Sequence, residues 1–260
     1  MARRLTPRQL FHLARKRLRK GRFGVDYESE WDVYAVSVRR ARPGLEHIGD
    51  EWDGRGMGVP PDVDYPRMIE ERFIAPNVQR GETVLEIGVG GGRTGEMILR
   101  HADRLIEADI SDLMLREARA RLGTERVSYI KLDGRTLDPI PDACADVWIC
   151  YDTMVHIEPR DIFNYLARVP AKLRGRRRVL VHHTNTLSEL GFRRYLREWD
   201  RCLMGERARN TLSIMTPDLM ERFLTHLGYE ILTRDEASLP RDCVWTATAP
   251  ERIDPAKLRP

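Results

Sequence analysis

The sequence predicts an α/β fold with a doubly wound, mostly parallel seven-stranded sheet and an N-terminal helical extension. From Glu82 onward, short apolar runs of strand length alternate with segments of helical periodicity. The first run ends in a string of glycines, and an acidic residue stands at the end of each of the next two. Strands that alternate with helices at this spacing pair in parallel, with helices on both faces of the sheet.

Each predicted element has a local signal. Ser111 and Thr216 are suited to cap helices that Gly123 and Gly228 end. Strands are predicted at residues 83–87, 104–109, 127–132, 145–151, 178–182, 229–232 and 243–248. Helices are predicted at residues 93–100, 111–122 and 217–227, after Pro159, and between residues 187 and 203. A turn-like stretch separates the last two strands, which would place one antiparallel strand at the edge.

Three regions follow from this division. Residues 1–75 form the extension, residues 76–250 the main domain and residues 251–260 a tail. The extension begins with a basic helix capped by Thr6, for which docking on the domain is the favoured role. Glycine and proline then crowd residues 42–66, which predicts an irregular loop, either a lid or a passive surface segment. A short helix that contains Met68 and Phe73 ends before Pro76.

Charge and cysteine content narrow the function classes. The net charge of +4 conceals nine basic residues and no acid up to Gly24, against 35 basic and 40 acidic residues afterwards. The domain itself is therefore acidic, and a general nucleic-acid partner is disfavoured. The four cysteines lack the close spacing of a metal site, so we expect reduced thiols, no bound metal and a cytoplasmic location. No apolar run approaches the roughly 20 residues of a membrane span.

The glycine string after the first strand predicts a nucleotide-type cofactor. Glycines let the backbone turn sharply and approach a ligand closely. The spacing Gly90-x-Gly92-x-x-Gly95, with Asp109 downstream, matches a dinucleotide site of an NAD-dependent oxidoreductase. Glu86, two residues before the first glycine, favours a different ligand, because a carboxylate there would repel a pyrophosphate and attract an ammonium or sulfonium group.

Residues 84–95 resemble the first motif of class I S-adenosylmethionine-dependent methyltransferases, acid-x-Gly-x-Gly-x-Gly, and the similarity in order of elements extends from Glu82 to Thr248. It implies a Rossmann-like methyltransferase fold and S-adenosylmethionine as cofactor. Gly88, Gly90 and Gly92 would line the methionine part. The resemblance further implies ribose binding by Asp109, adenine contacts by Ile110, Asp133 and Gly134, and a methyl-donor end bordered by Tyr151 and Asp152. Asp109 and Asp133 could instead be turn formers or helix caps, and Tyr151 could be a core aromatic residue.

Transfer to an oxygen acceptor usually needs a base, and the predicted carboxyl ends of the strands supply Asp152, His156, His182 and His183. Because neighbours on a strand point to opposite faces, one of the last two could reach the site. The stretch His182-His183-Thr184-Asn185 is similar to the His-His-Ser-Asn segment of some bacterial methyltransferases of sugars and glycans, which implies a sugar or natural-product hydroxyl.

Other functions remain open at this stage. The basic arm could recruit RNA or protein as the methyl acceptor, the glycine spacing allows an NAD-dependent oxidoreductase, and a binding module without turnover would keep the same pocket. The Asn/Asp-Pro-Pro-Tyr/Phe segment of amino-directed nucleic-acid methyltransferases is missing, since Tyr151-Asp152-Thr153-Met154 stands in its place. The sequence leaves open whether the protein forms a homo-oligomer.

Overall fold

The structure is a computed structural model that describes residues 26–202 and 211–259. The predicted basic helix after Thr6 lies outside the described residues, as do the end of the helix predicted up to residue 203 and the last residue of the chain.

A seven-stranded sheet forms the centre of the molecule and confirms the predicted fold class. Its spatial order is β3-β2-β1-β4-β5-β7-β6, and only the pairings of β7 are antiparallel. The strands are β1 (Thr83–Ile87), β2 (Arg104–Asp109), β3 (Val127–Lys131), β4 (Ala145–Cys150), β5 (Leu173–Thr184), β6 (Glu230–Asp235) and β7 (Asp242–Thr248). The chain runs outward from β1 to β3 and then returns to β4 on the other side of β1. The strand order therefore reverses between β1 and β4, where ligands bind at the carboxyl ends of such sheets.

Helices cover both faces of this sheet. The described part of the chain contains α1 (Tyr27–Ala41), α2 (Tyr65–Ile69), α3 (Arg93–Leu99), α4 (Asp112–Leu122), α5 (Pro159–Arg168), α6 (Glu189–Glu198) and α7 (Pro217–Leu227), and a π-helical turn (Glu70–Ile74) continues α2. Ser111 and Thr216 accept hydrogen bonds from backbone N–H groups three residues ahead, as their capping role predicts. In the described ranges, no helix is long and apolar enough to cross a lipid bilayer.

Helix α1 was not predicted from the sequence, although its signals are present. Asp26 caps it by accepting a hydrogen bond from the backbone N–H of Ser29 at 3.2 Å. Acidic residues occupy its first turn and arginines its last, which suits the helix dipole. Valines and aromatic residues of low helix propensity fill the interval and hide the pattern.

Strand β5 is longer than the predicted residues 178–182. The prediction missed its first half, which is rich in arginine. Two of these arginines pair with acids on neighbouring elements. Arg176 donates to Glu82 Oε1 at 2.6 Å, and Arg174 Nε lies 3.4 Å from Asp146 Oδ1. A strand in which arginines are paired by residues far along the chain has no apolar alternation for a sequence pattern to detect.

Two apolar cores flank the sheet, as expected for strands buried on both faces. Along β4 the side chains alternate between them: Trp148 and Cys150 pack on one side, and Val147 and Ile149 on the other. A smaller cluster of Ala35 from α1, Ile48 from the following loop and Met114 from α4 is accompanied by Trp31 and Tyr34. The extension thus packs over the carboxyl edge of the sheet, beside β1.

Candidate active site

A tight glycine turn joins β1 to α3. Gly88, Gly90 and Gly92 have φ angles of +86°, +51° and +81°, which side-chain-bearing residues rarely adopt. A Cβ atom at Gly88 would overlap the side chain of Thr153, whereas one at Gly90 would meet no atom within 4 Å. Because Gly90 lines a cavity, that open space is where a ligand can approach the backbone closely.

The cavity above the turn occupies about 1480 Å³, including its open mouth. Its walls are formed by the turn itself, by the carboxyl ends of β1, β2 and β4, by α1, and by the loop between α1 and α2. It therefore lies where the strand order reverses, as the fold predicts.

Asp109 ends β2 and lines this cavity. Its carboxylate accepts hydrogen bonds from the backbone N–H groups of Val89 at 2.9 Å and Ser111 at 2.7 Å, which fix its orientation. Burial raises the pKa of Asp109 to about 6, although these two hydrogen bonds and the charge of Lys131 oppose the shift. A buried carboxylate held at a cavity wall is suited to accept hydrogen bonds from ligand hydroxyl groups.

Glu86 lies behind the cavity wall and is only 1% exposed. It stands opposite Glu107 in the paired strands β1 and β2, and both side chains are buried. Burial raises the pKa of Glu86 to about 8 and, together with the charge of Glu86, raises that of Glu107 well above its usual value. Two such carboxyl groups do not both ionise at neutral pH. The direct role of Glu86 toward a cationic ligand stays a prediction, since it is not among the described residues that line the cavity.

The residues predicted to contact adenine are divided by the structure. Ile110 and Gly134 both line the cavity. The exposed Asp133 instead accepts backbone hydrogen bonds from Arg135 at 2.8 Å and Thr136 at 2.7 Å, and these bonds lower its pKa. Those contacts are typical of the turn former that the sequence left as an alternative. The adenine contact of Asp133 stays a prediction.

Tyr151 and Asp152, which follow β4, line the cavity at the other side of the turn. The Tyr151 side chain is buried, and its hydroxyl lies 3.2 Å from that of Tyr65. Asp152 is half-buried, with its Oδ2 3.7 Å from Nη2 of Arg93. Its φ of +56° is unusual for a residue with a side chain.

Of the three candidate histidines, the structure brings His156 to the cavity. Its Nδ1 lies 3.2 Å from the carbonyl oxygen of Thr211, and its ring packs edge-on against Trp31 with centroids 5.0 Å apart. Because a carbonyl oxygen only accepts, Nδ1 donates to it in this contact.

His182 and His183 are fully buried, and neither is among the described residues that line the cavity. This corrects the expectation that one of them would reach the site. His183 Nδ1 donates to the Thr184 carbonyl at 2.6 Å, and its Nε2 accepts from Trp245 at 2.9 Å. Burial lowers the pKa of His183 to about 4. Both rings lie on β5, where β4 and β7 flank the strand and packed elements cover both faces.

Several cavity residues were missed by the sequence analysis. Tyr27, Trp31 and Tyr34 line it from one face of α1, at a helical spacing of four and then three residues. Tyr34 accepts a hydrogen bond at 3.0 Å from Nε1 of Trp52, in the loop predicted at residues 42–66. The spacing of these three aromatic residues is a signal in the sequence, but it indicates a shared face only if the segment is known to be helical.

Arg93, also missed, follows the glycine turn and links it to that loop. It donates hydrogen bonds to the carbonyls of Gly49 at 2.9 Å and Trp52 at 3.1 Å. The loop therefore forms part of the cavity wall, and its movement as a lid stays a prediction.

Comparisons with known proteins agree with this geometry. Residues 84–175 match a family model described as a methyltransferase domain. The matched segment begins in β1, includes the glycine turn and ends in β5. No curated protein sequence matches the chain.

Three solved structures illustrate the similarity of fold. Magnesium protoporphyrin IX methyltransferase from Synechocystis PCC 6803, with bound SAH, is 14% identical over 86% of this chain and 98% of its own, with a TM-score of 0.61. DhpI in complex with SAH is 19% identical over 86% and 97% of the two chains, with a TM-score of 0.60. An O-methyltransferase family 2 protein from Planctomyces limnophilus DSM 3776, in complex with apigenin, is 13% identical over 85% and 62%, with a TM-score of 0.58.

Proposed function

We propose that the chain is a class I S-adenosylmethionine-dependent methyltransferase that methylates a hydroxyl group of a small molecule, either a sugar or another natural product. One observation carries the proposal. A single cavity brings the glycine turn, the Asp109 carboxylate and two groups able to accept a proton, Asp152 and His156, to the same place.

The cofactor assignment replaces the dinucleotide alternative, and the residues present fit it. S-adenosylmethionine supplies an electrophilic methyl group to the acceptor. The open space at Gly90 would admit the methionine part, and Asp109 would accept the ribose hydroxyls. Ile110 and Gly134 would border the adenine ring. Asp109 is buried and accepts two backbone hydrogen bonds, so its orientation is fixed before the cofactor binds.

A hydroxyl acceptor must lose its proton as it is methylated, and a positioned base aids that loss. The imidazole of His156 and the carboxylate of Asp152 both line the cavity, and either group can accept a proton. We propose one of these two groups as the base. His182 and His183 are not proposed for this role, because both are fully buried and each ring nitrogen already has a partner.

The cavity walls favour an acceptor with a ring. Trp31, Tyr34 and Trp52 present aromatic surfaces, which pack well against the flat faces of sugars and aromatic natural products. One protein of similar fold is an O-methyltransferase family 2 protein in complex with apigenin. The similarity of residues 182–185 to sugar methyltransferases supports the sugar class.

The test is an acceptor screen with radiolabelled S-adenosylmethionine. Free sugars, alkyl and aryl glycosides, and flavones are offered, and products are identified by mass spectrometry as methyl ethers or methyl amines. Asp152→Asn and His156→Gln each keep a polar side chain, so whichever residue is the base should lose kcat by about 100-fold or more. Gly90→Ala is the control for activity lost through weaker cofactor binding, because its added Cβ would occupy space proposed for the cofactor. Label found only in RNA or protein, and lost when residues 1–24 are deleted, would refute the proposal and favour recruitment by the basic arm.

A further inference from the structure

A chain of buried polar groups connects β7 and β5 to the end of β4. Nε2 of His182 lies 3.1 Å from Oδ2 of Asp242, and Nδ1 of the same ring lies 3.0 Å from the backbone nitrogen of Asp152. Both side chains, His182 and Asp242, are completely buried. The proposed chemistry does not use either of them as a base, so their role needs another account.

The partners determine which nitrogen of His182 carries the proton. A backbone N–H only donates, so Nδ1 must accept from Asp152, and Nε2 must therefore hold the proton that it donates to Asp242. Arg241 donates to both oxygens of Asp242, at 2.8 and 2.6 Å. Burial disfavours the ionised form of Asp242, but the hydrogen bonds from His182 and Arg241 outweigh it and lower the pKa. The ring is thus locked in one tautomer and one orientation.

The residue whose backbone N–H is bound by His182, Asp152, has a strained backbone conformation. Asp152 has a φ of +56°, in the left-handed region that a residue with a Cβ adopts at a cost. The preceding ring, Tyr151, stacks on the imidazole of His182 with centroids 4.6 Å apart. The following residue, Thr153, donates its hydroxyl to the carbonyl of Gly88 at 2.9 Å. Residues 151–153 therefore connect the buried histidine directly to the glycine turn.

We propose that His182 is a positioning residue, which acts through the backbone N–H of Asp152 to hold residues 151–153 against the glycine turn. Asp242 and Arg241 keep the imidazole in the accepting tautomer. The consequence is a fixed wall at the cofactor cavity, with Asp152 directed beside Arg93 and Thr153 against Gly88. This inference rests on the proposed cofactor site and is independent of the acceptor.

Two substitutions separate the hydrogen bond from simple packing. His182→Phe keeps a ring to stack on Tyr151 but removes the acceptor. In His182→Asn the side-chain oxygen takes nearly the place of Nδ1. Amide hydrogen exchange of Asp152 is measured by NMR, and the affinity for SAH by calorimetry. We expect about tenfold faster exchange and about tenfold weaker SAH binding in the Phe variant, the effect of one lost hydrogen bond. The Asn variant should return both values to within about threefold of the wild type.

His183→Asn is the matched control, because the neighbouring histidine is equally buried but bonds Trp245 and Thr184 instead. This variant should leave the hydrogen-exchange rate of the Asp152 amide unchanged, even if it lowers the stability of the protein. Unchanged exchange at Asp152 in His182→Phe would overturn the proposal, as would a failure of Asn to restore it. If the Phe variant does not fold, the Asn variant decides: protection of Asp152 retained supports the role, and protection lost contradicts it. Exchange is measured without any acceptor, so an error about the acceptor cannot produce either result.

Discussion

Replacing Gly90 with alanine should separate cofactor binding from folding. The added Cβ meets no protein atom within 4 Å, so the fold pays only for the φ of +51°. That conformation costs about 1–2 kcal/mol for a residue with a side chain, and about 1 kcal/mol lowers the Tm of a chain this size by about 2–4 °C. The same Cβ projects into the cavity. Overpacking there costs up to about 3 kcal/mol, which corresponds to about 100-fold weaker binding of SAH.

Gly81→Ala is the matched control. Gly81 has a φ of +86°, its added Cβ also meets nothing within 4 Å, and it is not among the described residues that line the cavity. Thermal unfolding should show similar losses for both variants, whereas calorimetry should show normal SAH affinity for Gly81→Ala alone. Equal affinity in the two variants would refute the placement of the cofactor against Gly90.

Three further outcomes follow from the same contacts. Asp109→Asn should weaken SAH binding by about tenfold or more, and wild-type affinity should fall as the pH drops through about 6, where the carboxylate is protonated; constant affinity between pH 5 and 8 in calorimetry would contradict this role. Trp31→Ala should raise the KM for the acceptor found in the screen about tenfold, because it removes an aromatic wall of the cavity, whereas Val36→Ala, on the exposed side of the same helix, should leave that KM unchanged; an unchanged KM in Trp31→Ala would count against this wall as the acceptor surface. The Glu86 and Glu107 pair holds a proton more tightly when folded than when unfolded, so wild-type stability should fall as the pH rises from about 5 to about 8. Glu107→Gln should flatten that fall in urea unfolding, and an identical pH dependence would count against the pair.

Much of the fold was predictable because its signals are local. The glycine turn, the caps at Ser111 and Thr216 and the alternation of strands with helices each depend on residues a few positions apart. The arginine-rich start of β5 escaped prediction, since it has no apolar alternation and two of its arginines pair with Glu82 and Asp146 from distant segments. Helix α1 escaped because residues of low helix propensity obscured its amphipathic pattern.

The sequence by itself determined the fold class and the glycine turn, because short-range conformational preferences and strand order carry that information. The tertiary structure alone decided which polar side chains reach the cavity. His156 and His182 are equally plausible bases in the sequence, but only the folded chain brings Thr211 to one ring and Asp242 to the other. A side chain's chemistry depends on burial and on partners contributed by segments distant in sequence, and those are set when the sheet and its covering helices pack together.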